Sequence, residues 1–196
     1  MDATSLRLAA VVEDTEAEGP GRRFAVWLQG CSIRCPSCCN PEMFDARRGE
    51  LSSVDALIAR IPATVEGVTL LGGEPFDQAA GAAAFASRAR AQGLTVMVFS
   101  GFTLAELRGR DDASLATGLL AATDLLVDGP FDRTQPEPAP PAGRRWIGSA
   151  NQTMHFLTDA YAPDDPRLRA PNTIEIRLTK RGLSINGWPS ADRLLR

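Results

Sequence analysis

The chain has 196 residues, enough to bury the core of one ordinary domain, and its 44% hydrophobic and 23% charged content is that of a globular protein. Its net charge is −3 with no Lys/Arg block, so no basic face is expected for a nucleic acid. No apolar run reaches the roughly 18 residues of a membrane span, and the first ten residues lack the basic start and long apolar core of a signal peptide, so a cytoplasmic chain with neither a nucleic-acid nor a membrane partner is expected.

The predicted elements alternate short apolar strands with helices. Residues 24–28, Phe-Ala-Val-Trp-Leu, read as a buried strand ending at Gly30. All four cysteines follow, between Cys31 and Cys39. Residues 52–60 read as a helix with a serine available as N-cap. Residues 68–71 form the next strand, stopped by Gly72-Gly73. Asp77 is expected to cap an alanine-rich helix that ends near Gly93. Residues 94–99 are a third strand, and Thr103-Leu104-Ala105-Glu106 has capping-box spacing. A helix over about 114–122 leads to a strand at 124–127. Residues 131–145 hold Pro136, Pro138, Pro140 and Pro141 and predict an extended, mobile loop. Order resumes over 146–157. Residues 173–178 and 183–188, around Lys180-Arg181-Gly182, read as a β-hairpin. A single domain over 1–196 is expected, with its core at about 17–157 and a C-terminal extension over 158–196.

Repeated strand–helix–strand order implies an α/β fold with a parallel sheet and right-handed crossovers. Functional loops then follow the C-terminal ends of the strands. The cysteine loop, Gly72-Gly73-Glu74-Pro75, Ser100-Gly101 and Asp128-Gly129-Pro130 all fall there.

The cysteines are spaced C-x3-C-x2-C, with Cys39 directly after Cys38. Tight clustering points to metal or redox chemistry instead of a disulfide framework. Structural zinc takes four ligands, usually as two separated pairs. No second pair exists here, and the sole histidine, His155, is far along the chain. Electron-transfer clusters take four cysteines, yet adjacent side chains rarely reach two corners of one cube. Cys39 therefore reads as packing or incidental. Cys31, Cys35 and Cys38 would hold three corners of a [4Fe–4S] cluster and leave one iron open.

C-x3-C-x2-C followed by G-G-E-P after the next strand resembles the signature of the radical S-adenosylmethionine enzymes. The resemblance implies a partial parallel (β/α) barrel of five or six strands, open on one side. It also implies that the methionine end of S-adenosylmethionine chelates the open iron, and that an electron from the cluster splits the sulfonium to a 5′-deoxyadenosyl radical. Gly72 and Gly73 would let backbone carbonyls approach that cofactor. Glu74, ahead of Pro75, would accept a hydrogen bond from its ammonium group. Ser37 stands near the adenine, where many such enzymes carry an aromatic. Ser100 would meet the carboxylate or ribose, and Asp128 the ribose or a cation. Taken alone, each of these segments would be a turn.

Further segments resemble the activating proteins of glycyl-radical enzymes, especially those of anaerobic ribonucleotide reductase. They are Gly19-Pro20-Gly21-Arg22-Arg23, Trp27-Leu28-Gln29-Gly30, Cys39-Asn40-Pro41-Glu42, the stretch from Ser100 to Leu107, Asp128-Gly129-Pro130-Phe131, and the stretch from Trp146 to Gln152. Departures are Ile147, where that pattern has arginine, the long proline-rich loop and the C-terminal hairpin. The implied partners are a glycyl-radical protein such as anaerobic ribonucleoside-triphosphate reductase and an electron donor of flavodoxin or ferredoxin type. Rival readings are a radical enzyme acting on a small molecule or peptide, and a non-catalytic iron–sulfur or zinc module. Trp146 reads as a core aromatic, and Asn151-Gln152 as partners for backbone groups. His155 reads as structural, and Arg133, Arg144 and Arg145 as solvated charges.

Overall fold

A computed structural model describes residues 5–110, 113–179 and 182–187. In chain order the strands are β1 (Ser5–Thr15), β2 (Arg23–Leu28), β3 (Glu50–Ser53), β4 (Gly67–Gly72), β5 (Thr95–Phe99), β6 (Leu125–Asp128), β7 (Thr153–Phe156), β8 (Ile174–Thr179) and β9 (Gly182–Gly187). The helices are α1 (Val54–Ala59), α2 (Ala79–Ala91), α3 (Leu104–Arg108) and α4 (Ala113–Ala121). The first seven strands form one sheet in the order β3-β1-β2-β4-β5-β6-β7. β2, β4, β5 and β6 pair in parallel, as strand–helix–strand order requires. On one side β1 pairs antiparallel with β2 and β3 antiparallel with β1, and on the other β7 pairs antiparallel with β6. The sheet is thus mixed, and its parallel part has four strands where five or six were expected. The link between β1 and β2 is too short for a parallel crossover, which needs a dozen or more residues.

The period of two along each strand sorts the core onto two faces. Phe24, Val26, Leu28, Val68, Leu70, Val96, Val98 and Leu126 pack on one side against Leu57, Phe85, Ala86, Ala89, Leu107 and Leu119 of the helices. Ala25, Trp27 and Leu71 point the other way and meet Val12, Met43 and Phe99. Met97, Leu125 and Val127 share that second side with Trp146, Ile147, Tyr161 and Leu168. The strands read as continuously apolar because helices cover one face and the chain after β6 covers part of the other.

Two helix starts follow the sequence. Ser53 accepts the Ala56 N–H, and Thr103 and Glu106 form a reciprocal capping box. The Asp77 cap does not form. A 3-10 turn at Pro75–Gln78 precedes α2, and Glu74 accepts the Phe76 N–H there. Asp77 instead accepts from the Ser32 N–H and hydroxyl. Gln78 stitches the backbone of Arg7 and Gln29 beneath the cysteine loop.

Arg23 is 0% exposed. Its guanidinium donates to the hydroxyls of Thr69, Thr95 and Tyr161 and to the carbonyls of Val68 and Thr95. Burial lowers its pKa from the ordinary value.

The proline-rich loop is pinned rather than free. Arg144 forms an ion pair with Glu137 at 2.8 Å and donates to the carbonyls of Gln152 and Ala150. Arg145 is buried, stacks on the Trp146 ring, and donates to Glu16 O and Thr173 Oγ1. Neither is the solvated charge the sequence suggested, because Arg144 is paired within the loop and Arg145 is covered by Trp146. The predicted C-terminal hairpin is present as β8–β9. Lys180, Arg181 and Trp188 of that expectation lie outside the described residues. Among the described residues no helix is long and apolar enough to cross a membrane.

Candidate active site

The cysteine loop leaves the C-terminal end of β2 at Gly30, whose φ of 100° favours glycine. The Gly30 N–H bonds Met43 O and the Cys31 N–H bonds Phe44 O, so both ends of the loop are tied together. Left-handed backbone at Arg34 (φ 52°) and Ser37 (φ 65°) curls the chain between them. The Cys38 N–H closes a turn on Cys35 O at 3.1 Å. All four cysteines are thiols, with Cys31, Cys35 and Cys38 half-buried and Cys39 exposed. Burial raises the thiol pKa of Cys31 and of Cys35. The Cys39 thiol hydrogen-bonds Cys38 and lowers it to about 6.

The glycine turn after β4 lies against this loop. Gly73 N–H donates to Leu28 O, and Glu74 N–H to Gly30 O at 2.9 Å. A Cβ on Gly73 would sit 2.1 Å from Gly30 O, which no side chain tolerates. Glu74 is 1% exposed. Its Oε1 accepts from Phe76 N–H and the Ser100 hydroxyl, and its Oε2 from Gly101 N–H at 2.9 Å. One carboxylate thus ties the turn after β4 to the turn after β5. Burial raises its pKa to about 7.

These turns share a cavity of about 490 Å³ on the sheet face opposite the helices. Cys31, Cys35, Cys38, Cys39, Gly72, Gly73, Glu74 and Ser100 all line it. Ser37, Pro75 and Asp128 are not part of its wall. Ser37 is exposed and its hydroxyl accepts from Arg133 Nη1 at 3.4 Å. Pro75 is buried in the 3-10 turn. The Asp128 carboxylate is buried and accepts from Leu104 N–H at 2.5 Å. His155 Nε2 lies 2.8 Å from the same carboxylate, without hydrogen-bond geometry. Gln152 and Asn151 satisfy backbone groups of residues 129, 130, 148 and 149.

Two cavity features were not singled out from sequence. Glu18 is a wall residue whose carboxyl burial raises to about 7, and it accepts the Gly187 N–H at 2.8 Å. The available signal was an acid directly before Gly19-Pro20-Gly21. Residues 184–187 of β9 line the cavity as well. Nothing in the hairpin's own pattern says which element it packs against.

The residues of the cysteine loop fit a [4Fe–4S] group. Four soft thiol donors from one curled loop line one cavity, and thiolates suit iron–sulfur clusters. Among the described residues no three His, Cys, Asp or Glu side chains gather closely enough for a single metal ion. The missing Cβ at Gly73 lets the glycine turn pack directly on Gly30 at the start of the cysteine loop.

A family model described as a 4Fe-4S single cluster domain matches residues 17–155. The chain is 33% identical over 150 residues to the anaerobic ribonucleoside-triphosphate reductase-activating protein of Vibrio cholerae, covering 71% of this chain and 91% of that protein. It is 24% identical to the protein of the same description from Enterobacteria phage T4, covering 75% and 92%. A 68-residue stretch is 41% identical to a pyruvate formate-lyase-activating enzyme of Listeria monocytogenes, covering 31% of this chain and 27% of that enzyme.

Proposed function

This chain belongs to the 4Fe-4S single cluster domain family, and from that premise we propose that it is a radical S-adenosylmethionine activating enzyme. Its reaction is the reductive cleavage of S-adenosylmethionine, used to install a radical on a glycine of a partner such as anaerobic ribonucleoside-triphosphate reductase. The observation that carries this reading is the meeting of the cysteine loop, the Gly72–Glu74 turn and the Ser100 turn at one cavity. The similarity to activating proteins along most of their length supports the choice of partner. The four parallel strands are read as part of a barrel whose inner face holds the cavity.

Cys31, Cys35 and Cys38 hold the cluster by three corners. When bound, the cluster would supply the electron for reductive cleavage of S-adenosylmethionine. Gly72 and Gly73 line the cavity and, without a Cβ, seat the turn directly on β2 and Gly30. Glu74 holds Ser100 and Gly101 in place, so both turns face the cofactor in one fixed arrangement. Trp27, Leu71 and Phe99 give the cavity a dry floor, which shields a reactive intermediate from water. The electron donor is a flavodoxin or ferredoxin.

Anaerobic reconstitution with iron and sulfide, followed by dithionite and S-adenosylmethionine, tests the reading. The expected product is 5′-deoxyadenosine, with a glycyl EPR signal when the reductase is added. No 5′-deoxyadenosine sinks the enzyme reading. That product without a glycyl signal sinks the activating role and leaves a small-molecule or peptide substrate.

A further inference from the structure

The hairpin β8–β9 lies outside residues 17–155, the part matched by the family model, yet it is built into the cavity. Its polar face is bonded to the end of β1 and the turn after it. Glu175 accepts the Glu16 N–H, Arg177 donates to Asp14 O, and Asn186 donates to Thr15 Oγ1. The Gly187 N–H bonds the buried Glu18 carboxyl, and Arg145 holds Thr173 at the base of β8. Each of these bonds joins residues far apart in the chain, so the hairpin has a fixed seat. In that seat residues 184–187 line the cavity, and Ile185, on the face opposite the polar residues, is half-buried.

The seat also fixes which end of the cavity the hairpin occupies. Thr15 pairs with Arg23 at the start of β2, while the cysteines follow its end. Six strand residues span about 17 Å at roughly 3.3 Å each. The hairpin therefore stands about a strand's length from the cysteine loop, at the strand ends opposite the Gly72–Glu74 and Ser100 turns. A group held at the cysteine end leaves the hairpin end open to something else.

We propose that Ile185 of β9 forms the substrate wall of this site and positions the glycine-bearing polypeptide segment of the partner against the cofactor. This rests on the activating-enzyme reading above. A wall built on one β-branched side chain suits a segment that presents main chain without a bulky side chain. It makes the C-terminal extension part of substrate recognition.

The test uses the full-length, cluster-loaded enzyme with Ile185→Trp, Ile185→Val and Leu178→Ser. Leu178 lies on the same hairpin but is 86% exposed and away from the cavity. Two readouts are compared: 5′-deoxyadenosine formed with dithionite in the absence of partner, and glycyl radical formed on the anaerobic ribonucleoside-triphosphate reductase of the same organism. Ile185→Trp is expected to lower the first far less than the second. It should lower the second on the order of a hundredfold, the cost of displacing a reacting group by about 1 Å. Ile185→Val and Leu178→Ser should retain both. Full glycyl-radical yield with Ile185→Trp overturns the proposal. So does an equal loss with Leu178→Ser, which would trace the effect to hairpin stability. A parallel fall in both readouts with Ile185→Trp overturns it too, because it would put the wall at the cofactor. Failure of the wild type to make 5′-deoxyadenosine is a different result, and it strikes the underlying enzyme reading.

Discussion

Glu74→Gln is expected to change how the stability of the cluster-free chain depends on pH. Burial pushes the Glu74 carboxyl from its ordinary 4.5 up to about 7. Between those values the folded chain keeps a proton that the unfolded chain has released. Stability falls with rising pH wherever the folded state binds more protons. The Glu74 contribution is therefore full below about pH 4.5 and lost as pH rises through about 7. At roughly 1.36 kcal/mol per pH unit, the loss across this window is about 3 kcal/mol. Glutamine has no proton to release. Its oxygen keeps Phe76 N–H and Ser100, but its amide nitrogen then faces the Gly101 N–H, and the missing bond costs about 1–3 kcal/mol at any pH. Urea denaturation of both chains, under reducing conditions from about pH 5 to about pH 8, separates the two effects. The variant should be less stable by about 1–3 kcal/mol at the acid end. That deficit should shrink by about 3 kcal/mol toward the alkaline end, closing or reversing. Other titrating groups, Glu18 among them, are common to both chains and drop out of the difference. A deficit that stays constant or grows with pH refutes the reasoning, because it would mean that the three donors outweigh burial and keep Glu74 ionised.

Cys31→Ala, Cys35→Ala or Cys38→Ala should each abolish bound iron and the visible absorbance of the reconstituted protein, while Cys39→Ala should keep both. Loss of iron in Cys39→Ala would change the ligand set. Arg23→Ala empties a fully buried site and removes the partner of three hydroxyls and two carbonyls. It should cost on the order of 3–5 kcal/mol in urea denaturation. Gly73→Ala drives a Cβ into Gly30 O and should weaken S-adenosylmethionine binding at least about tenfold by isothermal titration, since the turn itself must move. Gly93→Ala meets nothing within 4 Å. It should cost only the roughly 1–2 kcal/mol of left-handed backbone, with binding unchanged.

Much of the scaffold was legible because its strands are short apolar runs closed by glycine, and its helix starts carry Ser53 and Thr103. The flanking strands were not. β1 mixes buried and exposed positions irregularly, and β3 has four residues with none buried, so neither carries a period that marks a strand. Asp77 shows the same limit at one residue. Its position before an alanine run fits a cap, but Ser32 offers it two donors across a gap of 45 residues. Asp128 also has its nearest partners, Leu104 and His155, far away in sequence. The cysteine loop and the glycine turn could be found because each is a local motif. Glu18 and β9 could not, because their place in the cavity depends on how the hairpin docks.

The tie between the cysteine loop and the glycine turn has a consequence for assembly. Ser32 holds Asp77, Gly30 O receives the Glu74 N–H, and Glu74 holds Ser100 and Gly101. Ordering any one of these segments therefore lowers the entropy still to be lost by the others. A metal group seated on the cysteines and a small molecule seated on the glycine turn become cooperative ligands, even where they do not touch. Reciprocity then applies: whatever factor the first adds to the affinity of the second, the second returns to the first. In a cell the small molecule would act as a guardian of the metal group, slowing its loss whenever both are present.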